Sequence, residues 1–455
     1  MPAGFPILFG GREPRENFLG RRRSTLAGSA GEEIVKHIWL MGMVLTLALC
    51  GVASAADSPT FSDEVVRIVQ ERCQTCHRPG EHAPFSLITY ADVFKRRADI
   101  RDEIDWRTMP PWKPVSGFGS FLESRRLSDE DRATILKWID TGAPEGDRAK
   151  LPPPRVFPSG WTLGTPDHVL EMSAPYTVPA RAGDVYRCFV VPTSFPEDRW
   201  VSKVEYAPGD KKVVHHVLAY IATGPTASSL QRTAGGAGYP CFGGPGFLPV
   251  GGLSGWAPGV GPRVQPDGVA WLLPAGATVV LQVHYNNGSP QAHTDRTRAA
   301  LYFATSPVDK RHRAIPVLND AFTIPAGEKR YEVRASYTVP PGRDMHATGI
   351  TPHMHLLGRE MKVTATYPDG TVRPLVYIDD WDFHWQANYT FEEPVPLPSG
   401  TRIDMVAVFD NSAESKRQPS KPPRAVSWGE GTTDEMALVF VSITVDGERI
   451  GWRPR

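Results

Sequence analysis

The chain has 455 residues, in which 50 Lys and Arg balance 50 Asp and Glu, with 42 Gly, 44 Pro and 5 Cys. Roughly 150 residues per domain predicts about three domains, and a net charge of zero argues against a nucleic-acid partner. Gly and Pro make up about 19% of the chain against a usual share of roughly 12%, which argues against helical bundles and coiled coils and for turn-rich β structure.

The first segment bears on the compartment. Residues Ile38 to Val52 form an apolar run with Lys36 before it and Ala53-Ser54-Ala55 after it. That pattern predicts a secretory signal peptide cleaved after Ala55. The run is short for a membrane span, although a retained anchor is the alternative. Its distance from Met1 points to true initiation near Val35 or Met41. Arg21-Arg22-Arg23 hints at a twin-arginine signal, but Glu32 and Glu33 separate it from the apolar run. Cys50 follows Leu49, a residue too large for the usual lipidation site. Residues 1–56 are therefore expected to be an extension and signal peptide, and the mature protein periplasmic or secreted.

Residues 57–147 read as helical. Ser62 with Asp63 and Glu64 predicts a helix start, since a hydroxyl cap and acids suit the first turn. The helix runs into Cys73-Gln74-Thr75-Cys76-His77, a C-x-x-C-H signature for covalent haem c. Cys73 and Cys76 would form the thioethers and His77 would be the proximal ligand. There is no second Cys pair for zinc and no βαβ pattern for thioredoxin chemistry. Met109, in Thr108-Met109-Pro110-Pro111-Trp112, is the expected distal ligand, and a thioether there raises the potential. His82 is too near in sequence to reach the opposite haem face. Ser128 with Asp131 predicts a capping box, opening a helix with Ile135, Leu136, Trp138 and Ile139 inward and Gly142 at its end. This stretch resembles the small all-α class I-type cytochrome c domains fused to bacterial enzymes. A Pro-rich linker over 148–164 follows.

Beyond it the period changes to that of strands. Lys211–Thr223, Ala277–Asn286, Arg330–Val339, Arg359–Tyr367, Arg402–Phe409 and Met436–Val445 are rich in Val, Ile, Thr and Tyr, with turn residues between them. The expected fold is two all-β antiparallel, jelly-roll-like sandwiches over 165–312 and 313–455. His215 and His216 are adjacent in a strand, so their side chains point to opposite faces. Joint metal binding by that pair requires a bulge, a strand end, or ligation through Nδ1. His284 ends another strand. His353 and His355 are two apart and leave one face, a natural metal clamp. Met436 alone reads as a core residue.

Together, YRCFVVP, HHV, GWAPG, LPAGATVVLQVHYNN, HMHLLG, DFHWQ and GTTDEM resemble, in order, motifs of the copper type II ascorbate-dependent monooxygenases. That family includes the peptidylglycine α-hydroxylating and dopamine β-monooxygenases. The resemblance covers roughly 165–447. It implies one copper on His215, His216 and His284 for electron transfer, and a second on His353, His355 and Met436, where O2 binds and hydroxylation occurs. Imidazoles suit copper, and a thioether favours Cu(I). Cys188 and Cys241, both in the first sandwich of an exported chain, are expected to form a disulfide, matching a bridge the family has there.

The resemblance also implies an external electron donor, ascorbate in the family or else a redox protein, and the fused cytochrome suggests a further route in which haem passes electrons one at a time to the coppers. The family's peptide-carboxylate clamp is replaced by Thr351, Leu438 and Phe440, so a small substrate other than a peptide carboxylate is expected. Trp381, Phe383, Trp385 and Tyr389 could line a pocket or fill a core. His168, His293, His312, His346 and His384 are expected in surface or core roles, with His346 and His384 nearest the matched motifs. The alternative function is a non-catalytic haem–copper electron relay or a copper-handling protein of the cell envelope.

Overall fold

The structure, a computed structural model, describes residues 58–454; the apolar run, its cleavage motif and Cys50 lie outside the described residues. A short helical region comes first. Its helices are Phe61–Val65 running on as Val66–Arg72, then Tyr90–Lys95, Arg97–Asp105 and Asp129–Asp140. Phe61, Val65, Val69 and Trp138 pack between the first and last of these, and Trp138 Nε1 donates to the Pro144 carbonyl at 2.9 Å.

The caps differ partly from expectation. Ser128 Oγ accepts from the Asp131 amide at 2.9 Å, the hydroxyl half of the expected box. The reciprocal pair is found at Thr89 and Asp92, where each side chain accepts from the other's backbone amide. Ser62 is no cap. The helix begins one residue before it, Thr60 is the capping position, and Ser62 is buried. Asp63 and Glu64 nevertheless lie in the first turn, and the Glu64 carboxylate takes the Thr60 amide at 2.8 Å.

The rest is mainly antiparallel sheet. All six strand segments expected from composition form strands, for example Val214–Ala222, Thr278–Asn287 and Arg402–Phe409. In residues 168–311 a six-stranded and a five-stranded sheet enclose one apolar core. In residues 313–445 two four-stranded sheets enclose another. Thr278–Asn287 is buried along almost its whole length because it is central to its sheet and covered on both faces. Its outer cover is the segment 226–241, pinned by the disulfide Cys188–Cys241, with a Cα–Cα distance of 5.7 Å.

The helical region is not a separate ball on a tether. Phe121 is part of the second sandwich's core, and Lys113 is paired with Asp380 at 3.0 Å. The Val115 and Leu122 amides donate to the Tyr377 and Thr390 carbonyls. On its other side, the loop after His77 meets the first sandwich. Lys211 pairs with Glu81 at 2.8 Å, His82 Nδ1–H donates to the Lys211 carbonyl at 2.9 Å, and Arg125 donates to the Gly259 carbonyl at 2.9 Å. The segment carrying Cys73 to His82 is thereby seated beside the turn that leads into His215.

Candidate metal centres

His215, His216 and His284 converge. One ligand atom from each lies within 4.8 Å of the others. The strands Val214–Ala222 and Thr278–Asn287 pair with His284 opposite His216 and Tyr285 opposite Val214, so His215 is the extra residue of a bulge. A bulge re-aims a side chain that regular pleating would send to the far face. The conflict between adjacency and joint ligation is resolved there.

The nitrogens that meet are Nδ1 atoms: His215 to His216 at 3.3 Å, and His284 to His216 at 3.4 Å. His284 Nε2–H donates to Asp184 Oδ1 at 2.9 Å, so its Nδ1 carries the lone pair. The Asp184 carboxylate also takes Asn286 Nδ2 at 2.7 Å and, from the second sandwich, the Thr432 hydroxyl at 3.4 Å. Tyr186 stacks flat on His284, with centroids 4.1 Å apart. Burial, with His284 and His384 beside it, pushes His215 down to about 3, and His216 is lowered well below its usual value by burial. Burial raises Asp184, but the hydrogen bond and charge of His284 outweigh it and bring the carboxyl down to about 2. At neutral pH His215 and His216 are thus neutral imidazoles, and a carboxylate stands behind His284. Imidazoles facing one point, one oriented by a carboxylate, fit a bound cation. The donor set suits copper, zinc, iron or nickel.

His353 ends the strand Met345–His353, and His355 lies in the turn beyond it, with ring centroids 5.1 Å apart. His353 Nδ1–H donates to Gln386 Oε1 at 2.5 Å and His355 Nδ1–H to the Asp434 carbonyl at 3.1 Å. Nδ1 is thus engaged in both rings, and the Gly431 backbone also lies against His355. Burial and His355 bring His353 down to about 4, and burial lowers His355. Met436 is half-buried just before the strand Ala437–Val445. That strand pairs Leu438 with His353, and Met436 lies two residues before Leu438, just outside the ladder. Between them lies Glu435, fully buried. Its carboxylate accepts the amides of His355 (2.9 Å), Leu357 (2.5 Å) and Met436 (3.3 Å), while burial pushes it up to about 8.

In the helical region Cys73 and Cys76 are free thiols within one turn, and the amides of Cys76 and His77 both donate to the Cys73 carbonyl. His77 Nδ1–H donates to the Phe85 carbonyl at 3.3 Å, leaving Nε2 available. The two thiols and the His77 imidazole thus share one short turn. Met109 is half-buried on the separate loop after Arg97–Asp105, its amide donating to the Glu103 carbonyl.

Among the open aromatics, Trp381 is core, with Nε1 donating to the His355 carbonyl, and Tyr389 is core against Trp112. His293 and His346 pair with Asp210 and Asp446. His384 is exposed, as expected, and stands 6.0 Å from His215 by ring centroid. Sequence reasoning passed over Asp184, Gln386 and Glu435, although all three lie in or beside the matched motifs.

No protein-family model matches the chain. It is similar to DBH-like monooxygenase protein 1 of Mus musculus, 25% identical over 303 residues, which covers 57% of this chain and 44% of that protein. The similarity is distant, and it is to a monooxygenase. The chain spans less than half the length of that relative. Solved structures resemble it only loosely. PNGF-II is 10% identical over 61% of this chain and 65% of its own, with a TM-score of 0.27. The major capsid protein P2 of Bacteriophage PM2 is 13% identical over 63% and 99%, with a TM-score of 0.25. Likenesses with TM-scores this low have no bearing on function.

Proposed function

We propose that the chain is an exported copper-dependent monooxygenase that hydroxylates a C–H bond of a small organic substrate. The balance is RH + O2 + 2e− + 2H+ → ROH + H2O. The observation that carries the reading is the pairing of two unlike clusters. One is a triad meeting through Nδ1, the other an H-x-H pair whose Nδ1 atoms are both engaged, on a strand paired with the one that Met436 precedes. In this reading His215, His216 and His284 hold the copper that relays electrons, and His353, His355 and Met436 hold the copper at which O2 reacts. Bound copper would supply the one-electron steps of oxygen activation. The residues do the rest: Asp184, Gln386 and the Asp434 carbonyl hold the tautomers, and Glu435 ties the H-x-H turn to the strand that Met436 precedes.

Cys73, Cys76 and His77 would carry haem c, with Met109 as the distal ligand. Electrons from ascorbate or a redox protein would enter there and pass toward the triad, beside which that loop is docked through Glu81, His82 and Lys211. The disulfide supports an oxidising, extracytoplasmic compartment. Thr351, Leu438 and Phe440 supply no cationic clamp, which supports a substrate other than a peptide carboxylate. Oxygen uptake by the copper-loaded protein across a panel of small aromatic and aliphatic compounds tests the reading. Substrate-stimulated uptake with equimolar hydroxylated product supports it; tight copper without stimulated uptake supports an electron relay instead.

A further inference from the structure

The loop from Asp382 to Gln386 belongs to the second sandwich yet touches both histidine clusters. Phe383 is buried, with its ring 6.2 Å from that of His215 and 5.8 Å from that of His355. Its carbonyl accepts from Gln386 Nε2 at 2.9 Å, and the same Gln386 accepts the Nδ1 proton of His353 through Oε1. The loop is stiffened from below, since the Asp382 carboxylate takes the His384 amide at 3.0 Å and the Asp382 carbonyl takes the Trp385 amide. A candidate ligand of one cluster and both imidazoles of the other therefore rest on one short loop.

We propose that this loop is the bridge that fixes the two clusters relative to each other, with Phe383 as the positioning residue that sets their separation and keeps water from between them. A buried aromatic ring is a rigid spacer with few torsions. Truncating it would leave a gap edged by His215, His355 and His384, and a cavity with polar edges takes up water. Loop displacement would also turn His353, because its ring orientation follows Gln386. The role of a spacer between coppers rests on the proposed function; the contacts themselves do not.

The test uses the full chain in two states. Without metal, Phe383→Ala is expected to speed hydrogen exchange by roughly tenfold in Val214–Ala222 and in Met345–His353 together. Acceleration confined to residues 380–388 would overturn the bridge. With copper bound, Phe383→Ala is expected to keep the metal content and broaden the copper–copper distance distribution read by dipolar electron paramagnetic resonance. An unchanged distribution would overturn the spacer role. If Phe383→Ala does not fold, Phe383→Leu decides by the same readouts at smaller amplitude. Failure of the copper reading shows separately, as a wild-type chain that binds no copper while the exchange result still decides the bridge.

Discussion

His284 Nε2–H reaches the carboxylate of Asp184 at 2.9 Å, and this contact commits the opposite ring nitrogen to the triad. Such a carboxylate fixes the tautomer and raises the ligand's basicity. Asp184→Asn should weaken copper binding at the triad by about 10- to 100-fold. Competitive titration followed by optical or magnetic spectroscopy would measure it, and the H-x-H site should keep its affinity. An unchanged triad affinity would show that Asp184 serves only its contacts with Asn286 and Thr432.

In the proposed reading, Met436 is what distinguishes the hydroxylating site from the relay. Met436→Leu nearly conserves volume, so stability should change by less than about 1.5 kcal/mol. Substrate hydroxylation should be lost while the triad still binds copper and the haem still cycles. Unchanged turnover would remove Met436 from the site.

The Cys188–Cys241 bridge closes a loop of 53 residues in sequence separation. Chain-entropy reasoning gives such a crosslink about 4 kcal/mol of stability. Cys188→Ser with Cys241→Ser should lower the denaturation midpoint accordingly, and the segment 226–241 should become the first site of proteolysis. Non-reducing mass spectrometry of the wild type should find the bridge.

Stability should also depend on pH through His312, whose ring lies 5.3 Å from Trp271 by centroid and which burial, with Arg311 and Arg313, brings down to about 4. An imidazole with a lowered folded pKa is protonated first in the unfolded chain. Its contribution is therefore present above about 6.5 and is lost as pH falls from there towards 4. Allowing for partial exposure, the loss is on the order of 2 kcal/mol. His312→Gln should flatten the metal-free stability profile in that window, as read by denaturant midpoints; an identical slope would contradict the assignment.

Much of this was legible because it is local. Val- and Thr-rich runs bounded by turns became strands, and the rings of His353 and His355 lie 5.1 Å apart because a two-residue spacing keeps them together. Other features depend on partners that no local pattern names. The bulge at His215 exists only in register with His284, and Phe383 gains its meaning from a ring about 170 residues away in the other sandwich. Ser62 carried the right cap chemistry at the wrong place, since the turn starts at Phe61 and buries it. Phe121 looked like part of a helical module, yet a bridge to Phe391 draws it into the second sandwich.

Metal content of the purified chain, measured with its magnetic spectrum, tests the central claim most directly. The account expects two copper ions per chain, one lost with His284→Ala and the other with His355→Ala, each substitution leaving the remaining spectrum intact. A chain that holds one copper or none, or that loses both signals on either substitution, would contradict two separate centres.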